Sequence, residues 1–447
     1  MFQTLEALPG GQVRGGARVP GDKSISHRAI MLGSLAEGTT RVSGFLEGAD
    51  ALATMNVFRD LGVAIEGPVD GNVSIAGAGL HGLKAPARAL ECGNSGTSMR
   101  LLSGLLAGQR FESRLVGDAS LSRRPMRRVI DPLAQMGARI DSNDGRPPLL
   151  VRPVAGLTAA HVRLQVASAQ VKSALILAGL YAQGTTRVTE PAPTRDHTER
   201  MLAAFGVTVG RDGADIAIAG GQALAACGID VPADISSAAF FLVAASICPG
   251  ADLQLHHVGM NPTRTGVLQI LRAMGADITE SGQRTIGGEP VADLRVRSAG
   301  LKGIEIPPEW VPLAIDEFPV LFVAAACADG VTLLRGAEEL RVKESDRIAV
   351  MADGLAALGL PVEATVDGMR IEGRGGQATP FAGGTVDSHG DHRIAMSFAV
   401  AALRASAPIR ILDTANVDTS FPGFAALARS LGMPVEVRSA PVRAASE

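Results

Sequence analysis

Apolar residues along this chain fall in runs with helix-like spacing, each followed by a glycine-containing turn and a short β-rich stretch. The runs predict helices. The stretches GTTRVSG at Gly38 to Gly44 and GTTRVTE at Gly184 to Glu190 predict strands. The pattern is periodic. A bulky apolar residue, a glycine and a second apolar residue close a helix-like run at Leu61-Gly62-Val63, Met136-Gly137-Ala138 and Phe205-Gly206-Val207. The same marker returns at Met274-Gly275-Ala276, Leu358-Gly359-Leu360 and Leu431-Gly432-Met433, at intervals of 69 to 84 residues. These intervals exceed those of solenoid repeats, so each period predicts a small α/β module.

Every module begins with a polar or charged step into an apolar run: Lys23-Ser24, Asn94-Ser95, Ser168-Ala169-Gln170, Asp234-Ile235-Ser236, Asp316-Glu317 and Asp391-His392-Arg393. Ser, Asn and Asp at such positions predict helix N-caps. A second helix ends on the marker glycine, which suits a left-handed C-cap. Six modules therefore line up as two sets of three, with the crossover expected near Gly228 to Asp234.

At 447 residues the chain exceeds one ordinary core, which points to two or three domains. Hydrophobic content of 46%, 53 glycines and 3% aromatics describe a globular protein with a core of Ala, Val, Leu and Ile. A net charge of -3 gives no general attraction to nucleic acid or an anionic membrane, so any anion site must be a local cluster of cations. Lysine occurs only at 23, 84, 172, 302 and 343. Cys92, Cys227, Cys248 and Cys327 lack Cys-x-x-Cys spacing and are expected to be reduced, structural and metal-free. The N-terminus lacks a signal-peptide pattern, and the apolar stretches Phe240 to Ile247 and Val320 to Ala328 are too short to span a bilayer, so a cytoplasmic location is expected.

Helix N-termini carry unpaired N–H groups and partial positive charge, and here several also carry cations or hydroxyls. PGDKSISHRAIML offers Lys23, Ser24 and Arg28, and GNSGTSMRLL offers Asn94, Gly96, Thr97 and Arg100. SLSRRPMRRV packs Arg123, Arg124, Arg127 and Arg128 together, ASAQVKSALIL offers Ser168 and Gln170, and PTRDHTERML offers Arg195. Asp316 in AIDEFPVL joins RVKESDR, with Lys343, Glu344 and Arg347, and SHGDHRIAMSF adds Arg393. Each has a plainer alternative. Lys23-Ser24 and Asp316 suit helix caps, the arginine run suits a solvated face with one or two functional members, and Glu344 suits a salt bridge. Lys343 and Arg347 would share a helix face and repel unless an anion lay between them.

In order along nearly the whole chain, PGDKSISHRA, GNSGT-x-MR, RRPM, SAQVKSA, RVKESDR and DHRIAMSF resemble the 5-enolpyruvylshikimate-3-phosphate synthase family. The resemblance implies an inside-out α/β barrel architecture of two domains with three modules each. Residues 1–20 and 234–447 would form one domain and 21–233 the other. It implies transfer of the enolpyruvyl group of phosphoenolpyruvate to the 5-hydroxyl of shikimate 3-phosphate, through a tetrahedral intermediate, on the route to chorismate and the aromatic amino acids. Lys23, Asp316 and Glu344 would be catalytic. Lys23, Ser24, Arg28, Ser168, Ala169, Gln170, Arg195, Asp316 and Lys343 would hold shikimate 3-phosphate. Lys23, Gly96, Arg124, Gln170, Arg347 and Arg393 would surround phosphoenolpyruvate. No cofactor, metal, nucleic acid or membrane partner is implied, and a monomer is expected.

TRDHTE, EELRVKESDR and TSFP resemble the sub-class that contains glyphosate-tolerant enzymes, with Thr419 where many members carry Lys, yet Gly96 stands where tolerant members often carry Ala. Glyphosate sensitivity is left open. The rival is the UDP-N-acetylglucosamine enolpyruvyl transferase family, whose reactive Cys has no counterpart around Leu115 to Ser122 and whose Lys-Asn opening is Lys-Ser here. A non-catalytic anion-binding scaffold would gain nothing from Asp316 and Glu344 among its cations.

Overall fold

The computed structural model describes residues 2–440; residues 441–447 of the C-terminal tail lie outside them. The chain forms two compact units. One comprises residues up to Pro20 with 233–284 and 290 onward; the other comprises 21–232 with 285–289. The short segment 285–289 falls in the stretch that the sequence assigns to the 234–447 domain.

The second unit carries α1 (Lys23–Leu35), α2 (Ala49–Asp60), α3 (Gly96–Ala107), α4 (Arg127–Gln135), α5 (Ala169–Gly179) and α6 (His197–Ala204). Three sheets share one topology, in which a strand pairs parallel with its neighbour and that neighbour is followed by two antiparallel steps. They run Leu90–Glu91, Ser113–Val116, Arg146–Arg152, Arg139–Asn143 and His161–Arg163, Thr185–Thr189, Asp215–Ala219, Val209–Asp212. In the third, Ala36–Ser43 takes Gly228–Asp230 and Leu224–Ala225 as parallel partners and continues through Asn72–Ala78 to Ala64–Val69.

The first unit carries α7 (Ile235–Ile247), α8 (Gly266–Ala273), α9 (Phe318–Ala326), α10 (Arg347–Ala357) and α11 (His392–Ala401). One of its sheets runs Gly384–Asp387, Ile409–Leu412, Phe2–Ala7, Val435–Ala440 with the same parallel-then-antiparallel pattern. Its second strand in from the edge comes from the start of the chain, with Leu5 opposite both Ile411 and Val437. That pairing is why residues 2–7 belong with the C-terminal part. Another sheet runs Arg14–Ala17, Asp252–Gly259, Glu289–Arg297, Asp277–Ile286, and a third joins Asp329–Leu334, Met369–Arg374 and Glu363–Ala364. In that last sheet the parallel edge shrinks to isolated bridges, Lys302 to Asp329 and Glu305 to Leu333.

None of these sheets closes on itself. The units are inside-out in the sense that helices lie innermost. Each inner helix packs on its own sheet: α1 on Asn72–Ala78, α3 on Arg146–Arg152, α5 on Thr185–Thr189, α7 on Asp252–Gly259, α9 on Met369–Arg374 and α11 on Ile409–Leu412. Every residue of α7 and α9 is buried, as are all but the first two of α1 and of α5. A helix apolar on all faces has no other stable place.

The marker glycines close the outer helices. Gly62, Gly137, Gly206, Gly275, Gly359 and Gly432 have φ of +85°, +88°, +83°, +95°, +82° and +86°. In each case the next N–H reaches back five residues, as Val63 to Phe58, Ala138 to Leu133, Val207 to Leu202, Ala276 to Leu271, Leu360 to Leu355 and Met433 to Ala428. This is a Schellman stop repeated in every module. At the two chain crossings, Asp22 N–H donates to the Pro232 carbonyl at 2.8 Å and Asp234 N–H to the Pro20 carbonyl at 2.9 Å. No helix among the described residues is long and apolar enough to cross a membrane.

Close packing of inner helices leaves no space at some small residues. A Cβ on Gly104 in α3 would lie 2.0 Å from the Ala174 carbonyl oxygen in α5. Gly104→Ala is therefore expected to destabilise the fold by about 3 kcal/mol, the upper part of the usual overpacking range. Denaturant unfolding would show a lowered midpoint with an unchanged slope.

Candidate active site

Of the sequence-predicted residues of the second unit, Lys23, Ser24, Gly96, Ser168, Ala169 and Gln170 lie at the starts of inner helices, Arg28 lies one turn into α1, and Arg124 and Arg195 precede α4 and α6. Asp22 caps α1 by accepting from Ile25 N–H at 2.8 Å, Ser95 caps α3 by accepting from Ser98 N–H at 3.1 Å, and Ser168 caps α5 by accepting from Val171 N–H. These caps place Lys23, Gly96 and Ala169 at the first helical positions.

Around Gly96 the side chains interlock. Gln170 accepts from Arg100 Nη1 at 2.6 Å and donates to Thr97 Oγ1 at 2.9 Å, so its amide is held at both ends. Arg124 Nη2 donates to Asn94 Oδ1 at 2.6 Å, and Asn94 Nδ2 donates to Asp118 at 2.6 Å. A Cβ on Gly96 would lie 2.9 Å from Arg100 Nη1 and 3.2 Å from Arg124 Nη1. Gly96, Arg124 and Gln170 are thus brought together, whereas Arg123, Arg127 and Arg128 stay at the exposed surface. Of the arginine run, the fold selects Arg124.

Lys23 Nζ lies 2.5 Å from Asp50 Oδ2. Sequence reasoning missed Asp50. It sits near the start of α2, where an acidic residue reads as ordinary helix chemistry, and nothing in EGADALATMN signals its partner. His27 links the α1 and α3 starts. It is buried, with Nδ1 2.7 Å from Thr54 Oγ1 and 3.3 Å from Ser98 Oγ, and Ser98 Oγ donates to Ser95 Oγ at 2.9 Å. Burial, with Lys23 and Arg28 adding to it, pushes its pKa well below the usual histidine value, so it is neutral.

Arg28 is 4% exposed and joins three helices. Its Nε donates to Thr198 Oγ1 at 2.7 Å, Nη2 to Ser173 Oγ at 2.8 Å and Nη1 to the Ser24 carbonyl at 3.0 Å. Burial lowers its pKa to about 10, against the opposing pull of Glu199 and Asp22, while Arg195 lowers it further. Arg195, half-buried just before α6, is thus close enough to repel it.

In the first unit the carboxylates converge on one guanidinium. Arg347 is 1% exposed and opens α10. Its Nη1 donates to Asp316 Oδ1 at 3.2 Å, Nη2 to Glu344 Oε2 at 2.8 Å and Nε to Asp391 Oδ2 at 2.8 Å. Burial acts to lower its pKa, but Asp391, Glu344 and Asp316 outweigh it and raise it. Asp391 also caps α11 by accepting from Arg393 N–H at 2.9 Å. Burial pushes Asp391 up, yet Arg347 holds it below the usual carboxylate range.

Two expectations about this cluster need correction. Asp316 does not cap α9, because the cap position belongs to Glu317. Lys343 and Arg347 do not share a helix face, because Lys343 comes after the 3-10 turn Glu338–Val342 and α10 begins at Arg347. An anion does lie between them. Asp316 Oδ1 sits 3.4 Å from Lys343 Nζ and 3.2 Å from Arg347 Nη1. Arg393 Nη1 donates to the Asp316 carbonyl at 3.1 Å and lies 3.5 Å from Glu317 Oε1. Glu317, buried and bonded to Ser236, is thus a further partner in the site. Thr419 Oγ1 donates to the Asn416 carbonyl at 2.6 Å.

The arrangement orients two carboxylates and holds cations next to them. No group of three or more His, Cys, Asp or Glu placed to hold a metal occurs among the described residues. Removing the Asp391 charge tests the cluster. Asp391→Asn leaves Arg347 undercompensated and is expected to cost about 3–5 kcal/mol of stability. A depressed carboxylate stabilises the fold above its unfolded pKa, near 4, and that contribution is lost as pH falls through the lower folded value. Acid unfolding followed by circular dichroism should therefore show a shallower dependence below about pH 4 in the variant than in the parent.

Comparison with known proteins agrees along the whole length. The model of the family described as EPSP synthase (3-phosphoshikimate 1-carboxyvinyltransferase) matches residues 8–427. The 3-phosphoshikimate 1-carboxyvinyltransferase of Alkalilimnicola ehrlichii is 67% identical over 437 residues, covering 98% of this chain and 97% of its own. That of Halorhodospira halophila is 66% identical over 436 residues, covering 97% of each. A solved EPSP synthase from Acinetobacter baumannii superposes with a TM-score of 0.89 at 57% identity, covering 98% of this chain and all of that one. The UDP-N-acetylglucosamine reading is not favoured. The chain belongs to the EPSP synthase family, and its reaction is transfer of the enolpyruvyl group of phosphoenolpyruvate to shikimate 3-phosphate.

Proposed function

We propose a division of labour among the residues of this chain for the transfer reaction. Asp316 and Glu344 are the acid/base pair, and their shared contact with buried Arg347 is the observation that carries the proposal. Two carboxylates fixed on one guanidinium are oriented for proton transfer. Asp316 takes the proton of the 5-hydroxyl, and Glu344 in its acid form gives its proton to the methylene carbon of phosphoenolpyruvate. Protonation there makes C2 electrophilic and the hydroxyl oxygen adds. The tetrahedral intermediate then expels phosphate as the Glu344 carboxylate takes a proton back from the new methyl group.

Lys23, Ser24, Arg28, Ser168, Ala169, Gln170, Arg195, Asp316 and Lys343 are proposed to hold shikimate 3-phosphate. Lys23, Gly96, Arg124, Gln170, Arg347 and Arg393 are proposed to hold phosphoenolpyruvate. Capped helix starts with N–H groups and forked guanidinium groups support both assignments. Lys23, balanced by Asp50, also takes part in proton movement. The 1–20 with 234–447 and 21–233 segments are proposed as the two enolpyruvyl transferase domains. A monomeric enzyme is proposed. Both substrates are multiply charged and do not cross a bilayer unaided, which supports a cytoplasmic enzyme.

Phosphate release by purified protein is expected with phosphoenolpyruvate and shikimate 3-phosphate together, with neither alone, and with about a hundredfold loss or more in Lys23→Ala. Full activity in that variant would remove Lys23 from the catalytic set.

A methyl group on residue 96 would press on Arg100, hence on Gln170, and on Arg124. Gly96→Ala is expected to raise KM for phosphoenolpyruvate on the order of tenfold, about 1.4 kcal/mol, with KM for shikimate 3-phosphate little changed. Glyphosate, longer than phosphoenolpyruvate, is proposed to compete for the same group, so its inhibition constant should rise more than that KM. An equal rise would argue against that competition.

A further inference from the structure

Among five lysines, Lys172 is wholly buried. Its ammonium has three N–H bonds and meets three oxygens: Glu199 Oε1 at 2.8 Å, Glu190 Oε2 at 3.1 Å and the Thr194 carbonyl at 3.4 Å. Glu190 accepts the Thr194 hydroxyl with its other oxygen. Thr194 is therefore gripped at its carbonyl by Lys172 and at its hydroxyl by Glu190. The loop that leads to it contains Pro191 and Pro193, which have no N–H to anchor it. Glu190 is tied to the sheet through its own N–H, which donates to the Ala214 carbonyl at 3.1 Å.

Burying one ammonium with two carboxylates is a poor route to stability, since an apolar side chain of similar size often does as well. Burial pushes the Glu190 carboxyl up, with Lys172 opposing and Glu199 adding to the rise. The neighbour of the clamped residue gives the arrangement its sense. Arg195 comes directly after Thr194, and Glu199 attracts Arg28, which Arg195 repels. The triad thus both holds the loop and offsets the repulsion between two arginines.

We propose that the Lys172–Glu190–Glu199 triad is a positioning device that clamps Thr194 and thereby aims Arg195 at the anion of shikimate 3-phosphate. The inference rests on the assignment of Arg195 to that substrate. The triad sets affinity for shikimate 3-phosphate and leaves phosphoenolpyruvate affinity and the chemical step alone.

The test uses the full chain with Glu190→Gln, Thr194→Val, Arg195→Ala and the Thr194→Val/Arg195→Ala double variant. Each is measured for kcat, for KM toward both substrates and for thermal midpoint. Glu190→Gln and Thr194→Val are expected to raise KM for shikimate 3-phosphate on the order of tenfold, with kcat and KM for phosphoenolpyruvate within about twofold. Adding Thr194→Val to Arg195→Ala should raise that KM no further, because residues acting through one group are not additive. A lowered midpoint with unchanged KM in both clamp variants would make the triad merely structural and overturn the proposal. So would full additivity in the double variant. If Arg195→Ala leaves that KM unchanged, the assignment of Arg195 itself fails, which is a separate result. Should Glu190→Gln not fold, Thr194→Val, which keeps all three buried charges, decides alone.

Discussion

A helix surrounded by apolar side chains still has unpaired N–H groups at its first turn, and these must find an oxygen. In each unit the innermost helices meet this demand at one end. Asp22, Ser95, Ser168, Asp234 and Asp391 cap α1, α3, α5, α7 and α11 with their side chains. Elsewhere these helices are sealed by Ala, Val, Leu, Ile and Phe, so the capped ends are where polar chemistry concentrates. Lys23, Gly96, Ala169 and Arg393 each lie within two residues of a cap. The site is a consequence of burying helices so completely.

Two buried arginines show how differently the ends are tuned. Arg28 donates to two hydroxyls and one carbonyl, all neutral, and burial lowers its pKa to about 10. Its charge is poorly compensated at close range, which favours an incoming anion. Arg347 donates to three carboxylates and is raised. Its charge is met by carboxylates, and it holds Asp316 and Glu344 in place. The two buried cations therefore differ in their partners, one resting on neutral oxygens and the other on carboxylates.

Much of this was legible along the chain. The apolar–Gly–apolar marker identified six helix stops, and all six glycines adopt the left-handed conformation, because a Schellman stop is a local event within one turn. The helix starts were legible for the same reason. Helix-face reasoning failed at Lys343, because residues 343–346 are not helical and α10 begins only at Arg347, whereas spacing rules assume an unbroken helix.

The sequence by itself determined the modules, their stops and the residue types near every helix start, since these depend on contacts within a few residues, though it misplaced the caps of α1 and α9. Tertiary structure alone decided the pairings. Asp50 meets Lys23, Asp391 meets Arg347 across 44 positions, and Glu317 meets Arg393 across 76. It also decided that Arg124, and not its neighbours, faces Asn94, and that Lys172 is buried on Glu190 and Glu199. The physical reason is that a charge's partner is chosen by proximity in space, and proximity across tens of residues is set by how sheets and helices stack.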